Sequence, residues 1–161
     1  MMRKLKLYLD TSIINFAIAD DISLEDREVT KKLCSEIKQG IYDGFISEVV
    51  LREISATENE TKRKALLEFM RSIELEEPLK VNEETVLLAE KYISEEIIPP
   101  AYRDDALHIA LTTINDIDIL VTWNFQHLIK HKTRVKVMGV NTLLGYKNID
   151  ICTPKEVVED V

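Results

Sequence analysis

Short apolar runs alternate along the chain with longer amphipathic ones. From Lys4 to Leu9, lysines interleave with Leu5, Leu7 and Leu9, a two-residue period that predicts a strand over residues 5–9 with the leucines on one face. Asp10-Thr11-Ser12 then opens a helix predicted over 12–19. The same reading predicts a helix over 25–39, a strand over 44–47, helices over 48–56 and 60–72, and a turn through Glu77-Pro78. Beyond it come a helix over 83–95, a break at Pro99-Pro100, a helix over 102–114, strands over 118–122 and 134–138, and a short strand near 149–151. Strands separated by helices imply a mostly parallel sheet covered on both faces, a three-layer α/β/α architecture. Ile119, Leu120 and Val121 are apolar in succession, as a central strand buried on both sides requires. Ligands of open α/β sheets bind just outside strand carboxyl ends, so polar residues at those ends are the first candidates for function.

Four such positions stand out. Asp10 ends the first strand, where aspartate serves equally as a helix N-cap or as a rim ligand. In Ser47-Glu48-Val49-Val50-Leu51-Arg52-Glu53-Ile54, a turn of about 100° per residue puts Glu53 on the side of Val49, Val50 and Ile54, with Glu48 and Arg52 near the opposite pole. A carboxylate on that side needs a cation, hydrogen bonds or a raised pKa. Arg103-Asp104-Asp105-Ala106-Leu107-His108 loads acids into the first turn of a helix, which the helix dipole alone would explain, and periodicity does not choose between Asp104 and Asp105. His108 lies within one turn of both, in the pattern of a surface or supporting histidine. Asn124 follows the central strand in Val121-Thr122-Trp123-Asn124, as an N-cap or as part of the rim.

A chain of 161 residues with 45% hydrophobic content is sufficient for one core, and a single domain over 1–161 is expected. No apolar run approaches the ~20 residues of a membrane helix, and the amino terminus lacks a signal-peptide core, so a cytoplasmic protein without a membrane partner is expected. Cys34 and Cys152 are too few and too distant for a disulfide framework or zinc site, and read as two reduced thiols. A formal charge of −8 argues against non-specific adhesion to nucleic acid, but leaves room for a local basic strip. Lys130, Lys132, Arg134 and Lys136, with His131 among them, form such a run, read here as the solvated edge of the 134–138 strand.

Three acids and an amide brought by separate segments to one rim repel one another unless a cation neutralises them. Hard ions such as Mg²⁺ and Mn²⁺ prefer oxygen ligands of this kind. A water bound to such an ion is a candidate nucleophile toward a phosphodiester.

The order of these motifs resembles the PIN-domain family, in particular VapC-type toxins, over nearly the whole chain. Leu7-Tyr8-Leu9-Asp10-Thr11-Ser12 resembles its first motif, Ile46 to Glu53 the segment carrying its glutamate, and Asp105-Ala106-Leu107-His108-Ile109-Ala110 its third. Val121 to Leu128 resembles the fourth, and Asn141 to Tyr146 with Thr153-Pro154 the carboxyl-terminal ending. The resemblance implies a PIN-like parallel α/β fold and a divalent-metal-dependent endoribonuclease acting on RNA. It also implies Mg²⁺ or Mn²⁺ as cofactor, a homodimer, and an antitoxin protein as partner if the chain is the toxin of a toxin–antitoxin pair. It selects Asp105 over Asp104, carries Asp10, Glu53 and Asp105 over as metal-binding carboxylates, and offers Thr11 or Ser12 as supporting ligands. Asn124 departs from the aspartate many members have there. An amide ligates without supplying charge, which makes a catalytically weakened or inactive module, acting through protein or RNA binding, the alternative reading. Aspartyl-phosphate chemistry at Asp10 fits less well, since Ser12 stands where an Asp-x-Asp phosphatase has its second acid and Trp123-Asn124 where a receiver has its lysine.

Overall fold

Leu7, Tyr8 and Leu9 are all fully buried, so the first strand, β1 (Lys6–Leu9), packs side chains on both of its faces. The expected leucine face is therefore incomplete: Leu5 lies outside the strand and is 42% exposed. Two-sided burial is what a central parallel strand demands. The computed structural model describes residues 3–158, and in it β1 lies between β2 (Asp43–Phe45) and β3 (Ile119–Val121), with β4 (Asp150–Cys152) beyond β3. All three pairings are parallel, with Tyr8 opposite Phe45 on one side and Leu120 on the other. The fold is the expected α/β architecture with a PIN-like, wholly parallel four-stranded sheet flanked by helices.

Helices α1 (Thr11–Ile18) and α2 (Leu24–Lys38) join β1 to β2. Four more, α3 (Glu48–Ser55), α4 (Glu60–Ser72), α5 (Glu83–Ser94) and α6 (Arg103–Ile114), join β2 to β3, with a 3₁₀ turn at Pro100–Tyr102 where proline breaks the chain. Asp10 caps α1 as the sequence suggests, and Ser47, Asn59 and Asn82 do the same for α3, α4 and α5, each accepting a hydrogen bond from a backbone N–H of the following turn. The Glu77-Pro78 segment is more than a turn. Leu79 donates to the Ile46 carbonyl and accepts from the Glu48 N–H, so this stretch runs along the open side of β2.

One element differs in kind. Residues 134–138, expected as a strand, lie inside helix α7 (His131–Leu143), and α8 (Pro154–Val157) follows β4. The alternating basic residues imitate a two-residue period, but Thr133, Val137, Val140 and Asn141 are the buried ones, at i, i+4, i+7 and i+8. Val135, which a strand would place on the same face as the buried Val137, is half exposed.

The chain leaves β1 toward β2 on one side, and the β3–β4 pair forms on the other. The strand order thus reverses between β1 and β3, and the crevice outside their carboxyl ends is where an open sheet can receive a ligand.

Candidate functional site

Asp10 stands at the end of β1 in that crevice and is 3% exposed. One carboxylate oxygen accepts from the backbone N–H of Ser12 at 3.1 Å and from the Ser12 hydroxyl, and the other from the hydroxyl of Thr122, which follows β3. Asp10 is therefore a helix cap and a rim group at once. Burial pushes its pKa up, the His108 charge and the Ser12 and Thr122 hydrogen bonds oppose the rise, and the charge of Asp105 adds to it.

Glu53 reaches the same rim from α3, on the half-buried side that helical spacing assigns to it, while Glu48 and Arg52 face solvent. Its Oε1 accepts from the Thr11 hydroxyl at 2.7 Å and meets Nε2 of His108 at 2.8 Å. Burial raises its pKa, but the hydrogen bond and charge of His108, with the Thr11 hydrogen bond, outweigh this and leave it lowered.

The acidic pair at the start of α6 divides. Asp104 turns to Arg52, which donates two hydrogen bonds to it at 2.8 and 3.1 Å. Asp105 turns to the rim, where its Oδ2 accepts from the Asn124 amide at 3.2 Å. Burial raises the Asp105 pKa, the charges of His108 and His127 and the Asn124 hydrogen bond pull it down, and Glu53 pushes it up again. Asn124 uses both ends of its amide, since its carbonyl accepts from the backbone N–H of His127 at 2.9 Å.

His108 lies beneath the acids, 2% exposed. An ionised Glu53 can only accept, so His108 Nε2 carries a proton. On its other side Nδ1 meets the Tyr8 hydroxyl at 2.7 Å, which in turn meets the Ser47 hydroxyl at 2.7 Å. Burial lowers the pKa of His108, but the Glu53 hydrogen bond and the charges of Asp10, Glu53 and Asp105 reverse the effect and raise it. The imidazole is thus an internal partial counter-charge to the carboxylates. Burial also drives the Tyr8 hydroxyl well above its ordinary pKa, so it remains protonated.

Tyr8, Ser47 and Thr122 were not singled out as rim groups from the sequence. Tyr8 reads as one more large residue of an apolar strand, and only its hydroxyl, two residues before Asp10, hints at a polar terminus. Ser47 and Thr122 share the address of Asp10, at or just past a strand end, and that address is the signal that finds them.

The donor set suits a hard cation in kind. It is all oxygen, two of its carboxylates carry pKa values raised by burial and mutual repulsion, and neither Asp105 Oδ1 nor Glu53 Oε2 takes a hydrogen bond from a described residue. It is not a closed cage: among the described residues, no three His, Cys, Asp or Glu side chains converge tightly enough to form a ready metal site.

No family model matches the chain, and no curated protein matches it either. Among solved structures it is similar to a chain of the VapBC2 complex from Rickettsia felis, bound to a DNA fragment from its promoter. The TM-score is 0.59 at 14% sequence identity, over 92% of this chain and 98% of that one. At this identity the likeness is one of fold, and it agrees with the α/β architecture expected from the sequence.

Proposed function

We propose that the protein is a divalent-metal-dependent endoribonuclease of the PIN type, with Asp10, Glu53 and Asp105 holding Mg²⁺ or Mn²⁺. What supports this is that Asp10 after β1, Glu53 on α3 and Asp105 on α6 all act electrostatically on the buried His108, with the two aspartates made less stable as anions by burial. When bound, the ion neutralises phosphodiester charge and makes water a stronger nucleophile at neutral pH. The chain's own residues orient the ligands. Ser12 and Thr122 fix the Asp10 carboxylate, Thr11 and His108 fix Glu53, and Asn124 fixes Asp105. Asn124 acts as a positioning residue in this scheme.

An antitoxin partner and a cytoplasmic setting belong to the same reading, supported by the likeness to a chain of a VapBC2 complex. A homodimer is supported by the exposed apolar side chains Val135, Met138 and Leu143 along α7. Among the described residues no helix is long and apolar enough to cross a membrane.

The alternative, a catalytically weakened module that works by binding, draws on the open spacing of the donors and on the neutral Asn124. The deciding experiment incubates purified protein with a mixed single-stranded RNA and Mn²⁺, with and without EDTA, beside Asp105→Asn. Cleavage that needs Mn²⁺ and disappears in the variant supports hydrolysis. RNA binding without cleavage at any Mn²⁺ concentration supports the module.

A further inference from the structure

The basic run on α7 is not a solvated strand edge, and the reading above leaves it without a task. It borders a cleft of about 250 Å³ beside the acidic rim, lined by Lys130, Lys132, Thr133 and Lys136 and by Gln126 and His127. Lys130 is the N-cap of α7 and gives no side-chain cap, so the N–H groups of His131, Lys132 and Thr133 begin a 13-residue helix without a side-chain acceptor. None of the three lysines forms an ion pair with a described residue, although acids outnumber bases in the chain by 29 to 21. Glu96 is the one carboxylate in the cleft wall.

His127 makes this more than a helix terminus. It lines the cleft and is 9% exposed, and its Nε2 is buried without a hydrogen-bond partner among the described residues. An orphaned buried imidazole nitrogen costs free energy unless something supplies the missing contact. Its ring lies against Tyr102, with centroids 4.0 Å apart and planes at 31°, and Tyr102 is 47% exposed. The backbone N–H of His127 is held by Asn124, which also holds Asp105, so two hydrogen bonds join the cleft to the rim.

We propose that this cleft is a phosphate subsite for single-stranded RNA. A phosphodiester flanking the bond at the rim is received by the α7 N-terminus, Lys130, Lys132 and the Nε2 of His127, and its base lies on the free face of Tyr102. The inference rests on the reading of the rim as a place that meets RNA. Helix N-termini with nearby lysines favour phosphate through the dipole and the unsatisfied N–H groups, and an aromatic face accepts any base. In an acidic chain, a group of lysines without ion pairs gives phosphate a local point of attraction beside the rim.

The test is fluorescence anisotropy of a labelled single-stranded RNA octamer in EDTA, with the full chain, across a salt series. Lys130 and Lys132 are exposed, so the double change Lys130→Gln with Lys132→Gln leaves the core untouched. It is expected to weaken binding on the order of tenfold or more at low salt and to flatten the log–log salt slope by about 1.4, two single-strand phosphate contacts. Tyr102→Leu is expected to weaken binding on the order of tenfold without changing the slope. Unchanged affinity and slope in the lysine variant, or no RNA binding by the unmodified protein, overturns the subsite. So does capture of a hexaglutamate peptide at these lysines in place of RNA, which assigns the cleft to an acidic protein partner. Lysine-dependent binding without Mn²⁺-dependent cleavage leaves the subsite standing and removes the hydrolase reading. Cleavage by a protein whose RNA binding ignores these lysines does the reverse.

Discussion

Asp10 separates a structural from a chemical role within one side chain. As a cap it needs only an acceptor for the Ser12 N–H, and asparagine caps about as well as aspartate. The amide also fits the second contact: the Thr122 hydroxyl, which already accepts from the Asn124 N–H, can accept from an amide on its other lone pair and turn its proton toward Ser12, 3.4 Å away. Asp10→Asn is therefore expected to fold with an apo melting temperature equal to or a few degrees above the parent, because a buried anion has been removed, and to lose Mn²⁺-dependent RNA cleavage by at least a hundredfold. Thermal melts and a gel assay on the same preparation check both halves. Full cleavage by this variant would make Asp10 scaffolding alone. Asn124→Asp is the complementary change. It adds a carboxylate beside Asp105 and is expected to weaken the apo protein and tighten Mn²⁺ binding, read by titration calorimetry. Looser Mn²⁺ binding would mean that the amide's donation to Asp105 matters more than added charge.

The elements carry their own tests, and two glycines give opposite signs. Gly139 lies on the exposed side of α7, where an added Cβ meets nothing within 4 Å. In a helix interior, alanine in place of glycine is worth about 0.5–1 kcal/mol, so Gly139→Ala is expected to raise the melting temperature by roughly 1–4 °C. A drop would argue against the helix. Gly44 lies in β2 where α2 crosses closely, and a Cβ there falls 2.7 Å from Ile37 Cγ2 and 2.8 Å from Leu75 Cδ2. Gly44→Ala is expected to cost about 1–3 kcal/mol as those side chains are forced aside, and an unchanged denaturation midpoint would contradict that packing.

These elements also mark how far the sequence could be read. Strands ending in polar residues and the helix opened by Asp10 were legible because caps and periods are local properties. Residues 134–138 were misread because Lys132-Thr133-Arg134-Val135-Lys136-Val137 satisfies a two-residue period and a helical one together, and only burial against the rest of the fold chooses. For the same reason Leu5 was assigned to a face it does not join. Glu53 was legible as a carboxylate on a buried side, but its contacts with Thr11 and His108, 42 and 55 residues distant, depend on the packing of α3 against α1 and α6. The division of Asp104 from Asp105 is likewise tertiary, since Arg52 comes from another helix.

At the scale of the whole molecule, the rim couples stability to pH and to metal. Asp10 and Asp105 have folded pKa values above their ordinary 3.8, so the stability they contribute is fully present below that value and is lost as pH rises through the folded pKa. His108, raised from 6.5, likewise contributes below its unfolded value and loses that contribution as pH rises through its folded one. Glu53 runs the other way: its lowered pKa gives stability above the ordinary 4.5, lost as pH falls through the folded value. Three of the four groups therefore weaken the apo rim between mildly acidic and alkaline pH, the interval in which the carboxylates become good ligands. Mn²⁺ is expected to stabilise the fold most where the apo rim is weakest. At a free concentration about 100 times its dissociation constant it contributes about 2.7 kcal/mol, or roughly 5–11 °C in melting temperature for a chain of this size. That gain should shrink as pH falls toward the raised pKa values of Asp10 and Asp105, where protons compete with the ion, and should disappear in Asp105→Asn at every pH. Thermal melts of both proteins over this pH range, with Mn²⁺ or EDTA, make the comparison. Equal gains in the two proteins would place the ion elsewhere on the surface, and no gain at any pH would leave the acids neutralised by His108 and His127 without a metal.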